Sequence, residues 1–182
     1  PRATAAGHRL IAFDQAGSTN GEAMAAARRG ERGLTWFVTT EQTAGRGRRQ
    51  RAWVAPRGNL ASSVLEVMDV SPTVAATMGF AFGLAHETAL QRVSLEANLR
   101  LAGSDQLQYL LKWPNDILVR GQKLCGLLVE AEAMPDGGLA VVAGIGLALL
   151  IGEPLFVGYQ PASGQAVGSS WRGPAVFFAF AI

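Results

Sequence analysis

The sequence has few of the residues that mark several protein classes. It contains one cysteine, Cys125, so no intrachain disulfide can form and a zinc site of four thiolates is excluded. Only 16% of the residues are charged, and 16 Lys and Arg against 14 Asp and Glu leave a net charge of +2. A positive excess this small does not by itself indicate nucleic-acid binding.

Long apolar runs and targeting signals are also missing. No window reaches the ~18 or more uninterrupted apolar residues of a membrane span, and residues 1–7 lack the basic and apolar regions of a secretory signal. Residues 174–182 are apolar but too short to span, and they predict the start of a buried helix or strand. We therefore expect a cytoplasmic protein with no membrane partner.

The composition that remains is globular. Hydrophobic residues make up 49% of the 182 residues, a length that fits one domain. We find no internal repeat, charge block or heptad. The sequence therefore predicts a single domain over residues 1–182, with residues 150–182 as a poorly assigned C-terminal segment.

The local patterns predict a mixed α/β domain. A strand, an alanine-rich helix and a second strand open the chain, with Ser18 or Thr19 ahead of Glu22 as expected for a helix cap. Ser71-Pro72 has the chemistry of a second helix start. The predicted strands are 10–13, 34–40, 59–67, 107–113, 123–133 and 139–150; the helices are 22–29 and 73–92; a loop spans 43–58, a break lies at 103–105 and a hairpin turn at 135–138.

The predicted loop contains the most conspicuous motif, Gly45-Arg-Gly-Arg-Arg-Gln-Arg51. Four arginines lie within six positions, and the glycines let the backbone approach a ligand closely, as in anion-binding loops. The motif is neither a Rossmann fingerprint nor a P-loop, because Gln50 takes the third glycine position and no Gly-Lys-Ser/Thr follows. Taken alone, it is equally compatible with a solvated basic loop or a nucleic-acid-binding segment.

Two further motifs follow. Lys112-Trp-Pro-Asn-Asp116 places a cation, an aromatic ring, a rigid turn and oxygen ligands suited to Mg²⁺ at a predicted strand end, although a plain turn has the same pattern. Gly121-Gln-Lys-Leu-Cys-Gly126 puts Lys123 at the start of an otherwise apolar strand. A lysine alone at that place is normally an exposed strand end.

Together these motifs resemble the biotin–protein ligases, over roughly Phe13 to Leu149. That family shares a fold with lipoate ligases and class II aminoacyl-tRNA synthetase cores, so the resemblance implies a mostly antiparallel sheet flanked by helices. The most specific block is Lys112–Asp116 followed by Gly-x-Lys-x-x-Gly. In order, the blocks are Gly17-Ser-Thr-Asn20, Glu41 to Arg51 with Trp53, Ser62-Ser63, Lys112–Asp116, Lys123-Leu-Cys-Gly126 and Gly144-Ile-Gly146.

The resemblance implies an enzyme that uses ATP and Mg²⁺ to activate biotin and then transfers it to a lysine of a biotin carboxyl carrier domain. Loop 45–53 would be a mobile lid over the adenylate, with Lys123 the first choice of catalytic residue. The implied catalytic residues are Lys123, Lys112, Arg46 and Arg48; the biotin-binding residues Ser18, Thr19, Asn20, Gln42, Gly45, Arg46, Arg48, Lys123 and Gly126; the nucleotide-binding residues Arg48, Arg49, Arg51, Trp53, Lys112, Asn115 and Asp116; the metal ligand Asp116.

The sequence departs from the family pattern at two positions. Gln50 stands where the loop usually has glycine, which we expect to be tolerated. Ala148 stands where an asparagine usually follows Gly-Ile-Gly, so we expect weaker ATP binding. We see no N-terminal DNA-binding domain and no complete C-terminal β-domain, and expect no repressor role and no nucleic-acid partner. A homodimer is left open. The alternatives are a lipoate- or octanoate-type ligase, and a non-catalytic relative that binds biotin or nucleic acid.

Overall fold

A computed structural model describes residues 6–54, 59–96 and 108–148, and the backbone of residues 150–151 and 153–154. The break expected at 103–105 and the apolar segment 174–182 lie outside these residues. The part described contains nine strands, two α-helices and one 3-10 turn. They are β1 (Arg9–Phe13), α1 (Thr19–Arg28), β2 (Thr35–Thr39), the 3-10 turn (Arg48–Gln50), β3 (Leu60–Met68), α2 (Pro72–Glu96), β4 (Tyr109–Lys112), β5 (Asp116–Val119), β6 (Gln122–Ala133), β7 (Leu139–Leu147), β8 (Leu150–Ile151) and β9 (Glu153–Pro154).

Seven strands form one sheet in the order β1-β2-β3-β7-β6-β5-β4, and β8 pairs with β9 separately. Only β1 and β2 run parallel among the paired strands described; the other pairs are antiparallel. The expected mixed α/β fold with a mostly antiparallel sheet is confirmed.

The two helices cover opposite faces of the sheet. Ala140 and Val142 of β7 pack in one cluster with the alanines of α1, whereas Leu139 and Val141 pack in another with Ala75 of α2. Successive side chains of a strand point to opposite faces, so α1 lies on one face and α2 on the other. This explains why β7 is buried almost throughout and reads as a continuous apolar run.

Helix α1 begins at Thr19, three residues before the predicted start at Glu22, and the predicted side-chain cap is wrong. Ser18 has the extended backbone of an N-cap residue, yet its side chain makes no capping hydrogen bond, and Thr19 already belongs to the helix. The Thr19 hydroxyl is bonded elsewhere, as described below. At the start of α2 the expected chemistry is present, because Ser71 Oγ accepts a hydrogen bond from Val74 N at 3.3 Å.

Strand β5 was not predicted. The turn expected from motif 112–116 is present at residues 113–115, with a cis Trp113–Pro114 peptide, but it leads directly into β5 and closes a hairpin with β4. Arg120 (φ 50) and Gly121 (φ 74) then turn the chain into β6. The expected strands 107–113 and 139–150 are correspondingly shorter, ending at Lys112 and Leu147.

None of the helices in the described ranges is both long and apolar enough to cross a membrane.

Candidate active site

A cleft that is partly open to solvent lies on the α1 face of the sheet, between the start of α1, the arginine loop and strands β6 and β7. Ten of the residues predicted from the sequence line it: Ser18, Thr19, Asn20, Gln42, Arg46, Arg48, Trp53, Asn115, Lys123 and Gly126. Segments scattered over more than 100 positions of the chain therefore meet in one place.

Five predicted site residues do not line the cleft. Arg49 and Arg51 are exposed at the 3-10 turn. Gly45 lies at the base of the loop, where a Cβ atom would come within 2.6 Å of the Trp53 carbonyl oxygen, so glycine is required there. Lys112 and Asp116 face each other across the β4–β5 hairpin, at the side of the cleft.

One side of the cleft, the α1 wall, consists of Thr19, Asn20 and Gln42 with Ser63 beneath them. Thr19 N donates to Gln42 Oε1 at 2.8 Å, and the Thr19 hydroxyl lies 2.7 Å from Ser63 Oγ. A parallel bridge between Ala16 and Gln42 fixes the segment that carries Gln42. Thr19 is 2% and Ser63 0% exposed. Since buried polar groups need partners, these bonds fix the wall before any ligand arrives.

Asn20 has all its polar atoms engaged within the protein. Its Oδ1 lies 2.6 Å from Ser63 Oγ, and its Nδ2 donates to Glu130 Oε2 at 2.7 Å and to the Leu128 carbonyl at 3.3 Å. A Cβ atom on Gly144 would lie only 2.0 Å from Asn20 Oδ1. The structure thus gives Asn20 a bridging position between β3 and β6, and its predicted contact with biotin stays a prediction.

The floor of the cleft is formed by Gly146 and Gly126, which belong to a row of residues in register across five strands. Ala61, Gly146, Gly126, Asp116 and Lys112 pair successively on β3, β7, β6, β5 and β4. The two central glycines leave a flat surface on which the Trp53 indole packs, because a Cβ atom would approach the ring within 2.6 Å at Gly146 and 3.1 Å at Gly126. Close approach by an aromatic ring explains both glycines.

Lys123 reaches this face because of a β-bulge. Strict alternation would place the Lys123 side chain on the opposite face of β6 from Gly126, yet Lys123 Cε lies 3.2 Å from the Cβ position of Gly126. The pairing of β5 with β6 shifts between Ile117 and Leu118, so Leu124 and Cys125 both enter the core on the α2 face. Lys123 is thereby turned into the cleft.

The Lys123 ammonium has two neighbours. Its Nζ forms an ion pair with Asp116 Oδ1 at 2.7 Å and lies 5.1 Å from the centroid of the Trp53 ring. The adjacent Cys125 thiol is buried in the core, and this burial raises its pKa to about 12. A thiol protonated at neutral pH is a poor nucleophile, and the predicted catalytic role of Lys123 stays a prediction.

The other side of the cleft, the loop wall, consists of residues 45–53. Hydrogen bonds from Trp53 N to Gly45 O (2.9 Å) and from Gly47 N to Arg51 O (2.7 Å) close the loop like a short hairpin. Arg46 Nη2 contacts Glu130 Oε2 at 3.3 Å, and Arg48 Nη1 donates to Asn115 Oδ1 at 3.2 Å. Both arginine side chains are exposed. The arginine side chains of the loop wall therefore make few polar contacts, and these are long.

Three participants in this site had no role in the sequence prediction. Ser63 and Gly144 stood in recognised blocks without a function, and Glu130, four residues after the motif Gly121–Gly126, was given no role. A carboxylate inside an apolar strand was the signal that could have identified Glu130, because such groups are seldom placed inward without a partner.

The described residues do not contain a preformed metal cage. No group of three or more His, Cys, Asp or Glu side chains within them is placed to hold a metal ion. At the cleft the nearest candidate, Asp116, already contacts Lys123. One carboxylate and the Asn115 amide suit only an ion whose other ligands come from phosphate and water, which is a common arrangement for Mg²⁺.

Comparison with known proteins identifies relatives along most of the chain. Residues 29–147 match the model of the biotin/lipoate A/B protein ligase family. A biotin–[acetyl-CoA-carboxylase] ligase of Paracoccus denitrificans is 39% identical over 132 residues, which are 72% of this chain and 51% of that ligase. The chain thus spans about half the length of this relative.

Solved structures give the same result. A biotin protein ligase of Leishmania major in complex with biotinyl-5-AMP has a TM-score of 0.57 at 26% identity, covering 77% of this chain and 56% of that one. The biotin protein ligase of Aquifex aeolicus in complex with biotin and ATP has a TM-score of 0.55 at 25% identity, covering 76% and 51%. With the family model matched over well more than half of its residues, the chain belongs to the biotin/lipoate A/B protein ligase family.

Proposed function

We propose that the protein activates biotin with ATP and transfers it to a lysine of a biotin carboxyl carrier domain. The observation that carries the proposal is the cleft itself, which joins a neutral hydrogen-bonding wall to a cluster of three cations, Arg46, Arg48 and Lys123. Biotin has a neutral, polar ureido ring at one end and a carboxylate at the other, so it complements both parts. The relatives named above are biotin ligases, and one structure contains biotin with ATP.

In the first step a biotin carboxylate oxygen attacks the α-phosphorus of ATP, and pyrophosphate leaves. Two anions must approach each other, so cations at the reacting groups lower the barrier. Lys123 lies at the floor of the cleft and would contact the carboxylate and the α-phosphate, while Arg46 and Arg48 would contact phosphate oxygens from the loop. Ser18, Thr19 and Gln42 would bind the ureido ring.

The nucleotide would lie toward Asn115 and the exposed arginines of the loop. Arg48, Arg49 and Arg51 offer positive charge, Trp53 an aromatic surface for adenine, and Lys112 a further cation at the side of the cleft. Mg²⁺ would arrive with the phosphates and supply charge neutralisation there, with Asp116 as its protein ligand. To bind the ion, the Asp116 carboxylate would have to release its ion pair with Lys123.

In the second step the ε-amine of the acceptor lysine attacks the acyl carbon of the mixed anhydride. An amide bond forms, the acyl–phosphate bond breaks, AMP leaves, and the amine gives up a proton. Lys123, which lines the cleft, would neutralise the charge that develops on the acyl oxygen and on the departing phosphate. The cytoplasm, where carrier domains are made, remains our predicted location. Homodimerisation remains open, and no nucleic-acid partner is proposed.

The test is biotin-dependent exchange of radiolabelled pyrophosphate into ATP, because it reports the first step without an acceptor. We expect exchange with biotin and far less with lipoate or octanoate, and transfer to a carrier domain when one is added. A rate of exchange with lipoate equal to that with biotin would mean that the cleft does not select biotin. No exchange with any of the three acids, in a folded protein, would point to a non-catalytic binding protein.

A further inference from the structure

Glu130 connects the two walls of the cleft through a single oxygen atom. Its Oε2 accepts from Asn20 Nδ2 at 2.7 Å and contacts Arg46 Nη2 at 3.3 Å. Asn20 is 5% exposed and belongs to the α1 wall, whereas Arg46 belongs to the loop wall. We infer that Glu130 is a positioning residue for the reaction: it orients Arg46 toward the substrate and fixes the loop to the α1 wall. This inference rests on the proposed function for its kinetic part.

The chain of contacts behind Glu130 is continuous and buried. Ser63 Oγ lies 2.6 Å from Asn20 Oδ1, and the Asn20 amide then donates to Glu130. Ser63 on β3 holds the Asn20 Oδ1 atom, so the Asn20 Nδ2 atom points toward β6 and Glu130. The position of the carboxylate is therefore set by the core of the protein, and the arginine adapts to it.

Charge explains why a carboxylate is needed at position 130. Arg46 lies beside Arg48 in a loop of like charges, which repel each other. Glu130 gives Arg46 a fixed counter-charge on a β-strand, a far more rigid support than the loop itself. Arg46 is then directed before a substrate binds, and less side-chain freedom is lost on binding.

A second acidic residue on the same strand provides an internal control. Glu132 lies two positions farther along β6 on the same face and pairs with Arg28 of α1 at 2.5 Å, and neither Glu132 nor Arg28 lines the cleft, whereas Arg46 does. Both carboxylates make an ion pair with an arginine. Only the partner of Glu130 belongs to the loop wall.

The experiment compares Glu130→Gln with Glu132→Gln. Glutamine keeps an oxygen that accepts from Asn20, so the replacement chiefly removes the charge opposite Arg46. Since half-exposed ion pairs contribute modestly, we expect Glu130→Gln to raise the KM for biotin in pyrophosphate exchange about threefold to fivefold and to change kcat less than about twofold. Without ligands, trypsin should cleave loop 45–53 about threefold faster. Glu132→Gln should leave both quantities at the wild-type value.

A double variant tests whether Glu130 acts through Arg46. Arg46→Gln should raise the KM for biotin, and adding Glu130→Gln should not raise it further. If Glu130→Gln does not fold, Glu130→Asp, which keeps the charge and shortens the side chain, takes its place.

Equal trypsin rates and equal KM values for Glu130→Gln and Glu132→Gln would overturn the inference, as would additive effects in the double variant. If the wild-type protein shows no biotin-dependent exchange, the proposed function is wrong. The ligand-free trypsin comparison then still decides whether Glu130 fixes the loop.

Discussion

The α1 wall and the loop wall of the cleft differ in how their polar groups are supported. In the α1 wall, Thr19, Asn20 and Ser63 are buried and joined by hydrogen bonds of 2.6–2.7 Å. In the loop wall, Arg46 and Arg48 are exposed and make contacts of 3.2–3.3 Å. A neutral, buried wall recognises shape and polarity, and a charged, exposed wall can rearrange when anions bind. Disrupting the α1 wall should therefore lower the stability of the protein, and removing the cations of the cleft should lower the rate of pyrophosphate exchange.

The largest effect is expected for Lys123→Ala. The variant removes the cation that lies beside Trp53 at the floor of the cleft, so biotin-dependent exchange should fall on the order of 100-fold. The melting temperature should change little, because Lys123 is 41% exposed. Gln122→Ala, an exposed neighbour on the same strand, is the control. Exchange within about threefold of wild type would remove Lys123 from the reaction.

Ser63→Ala should have the opposite profile. The variant leaves the buried Asn20 Oδ1 without its closest partner, so the free energy of unfolding should fall by about 1–3 kcal/mol. Biotin affinity should also fall, because Asn20 and Thr19 lose their fixed positions. Denaturant unfolding and calorimetric titration measure the two effects. Ser62→Ala, whose side chain points to the other face of β3, should spare biotin affinity; if both variants behave alike, the α1 wall is not set by Ser63.

A smaller effect is expected at the tip of the loop wall. Gln50 has φ 58, a left-handed conformation that costs a non-glycine residue about 1 kcal/mol. Gln50→Gly should therefore raise the free energy of unfolding by roughly 0.5–1 kcal/mol, whereas Gln50→Ala should leave it unchanged. The measurement is again denaturant unfolding. A glycine variant no more stable than the alanine variant would mean that the loop tip is not strained.

The smallest effect concerns the far end of α1. Arg28 lowers the pKa of the Glu132 carboxyl and Arg32 lowers that of Asp136, in both cases chiefly through side-chain hydrogen bonds. Because the two pKa values are lower in the folded state, the stabilisation is complete at pH values above the ordinary pKa values of 4.5 and 3.8. It is lost as the pH falls through the lower pKa values of the folded state.

Thermal melts between pH 7 and pH 3 test this sign. The double variant Glu132→Gln/Asp136→Asn should melt slightly lower than wild type at neutral pH, and the difference should shrink in acid. Both pairs are solvent-exposed, so the difference should be small. A difference that grows on acidification would contradict the predicted direction.

The sequence predicted well what depends on local pattern. Strands β3, β6 and β7 and both helices lie close to their expected bounds, because long apolar and alternating segments carry strong signals. It missed β5, whose four residues directly follow Pro114-Asn115, so turn chemistry dominated the pattern. The motif residues were mostly found, since ten of them line one cleft. Their individual roles in binding and catalysis stay predictions.

What the sequence by itself determined is therefore the set of elements and the chemistry carried by its motifs: an arginine loop, a polar helix start and a lysine at a strand start. Only the tertiary structure decided which of these groups meet. Lys123 faces the cleft because a bulge shifts the alternation of β6, and Asp116 lies beside it through the register of β5. Glu130 contacts Arg46, 84 positions away, because the sheet brings β6 beneath the loop. Local pattern fixes the period of a strand, but pairing register and bulges depend on the strand beside it.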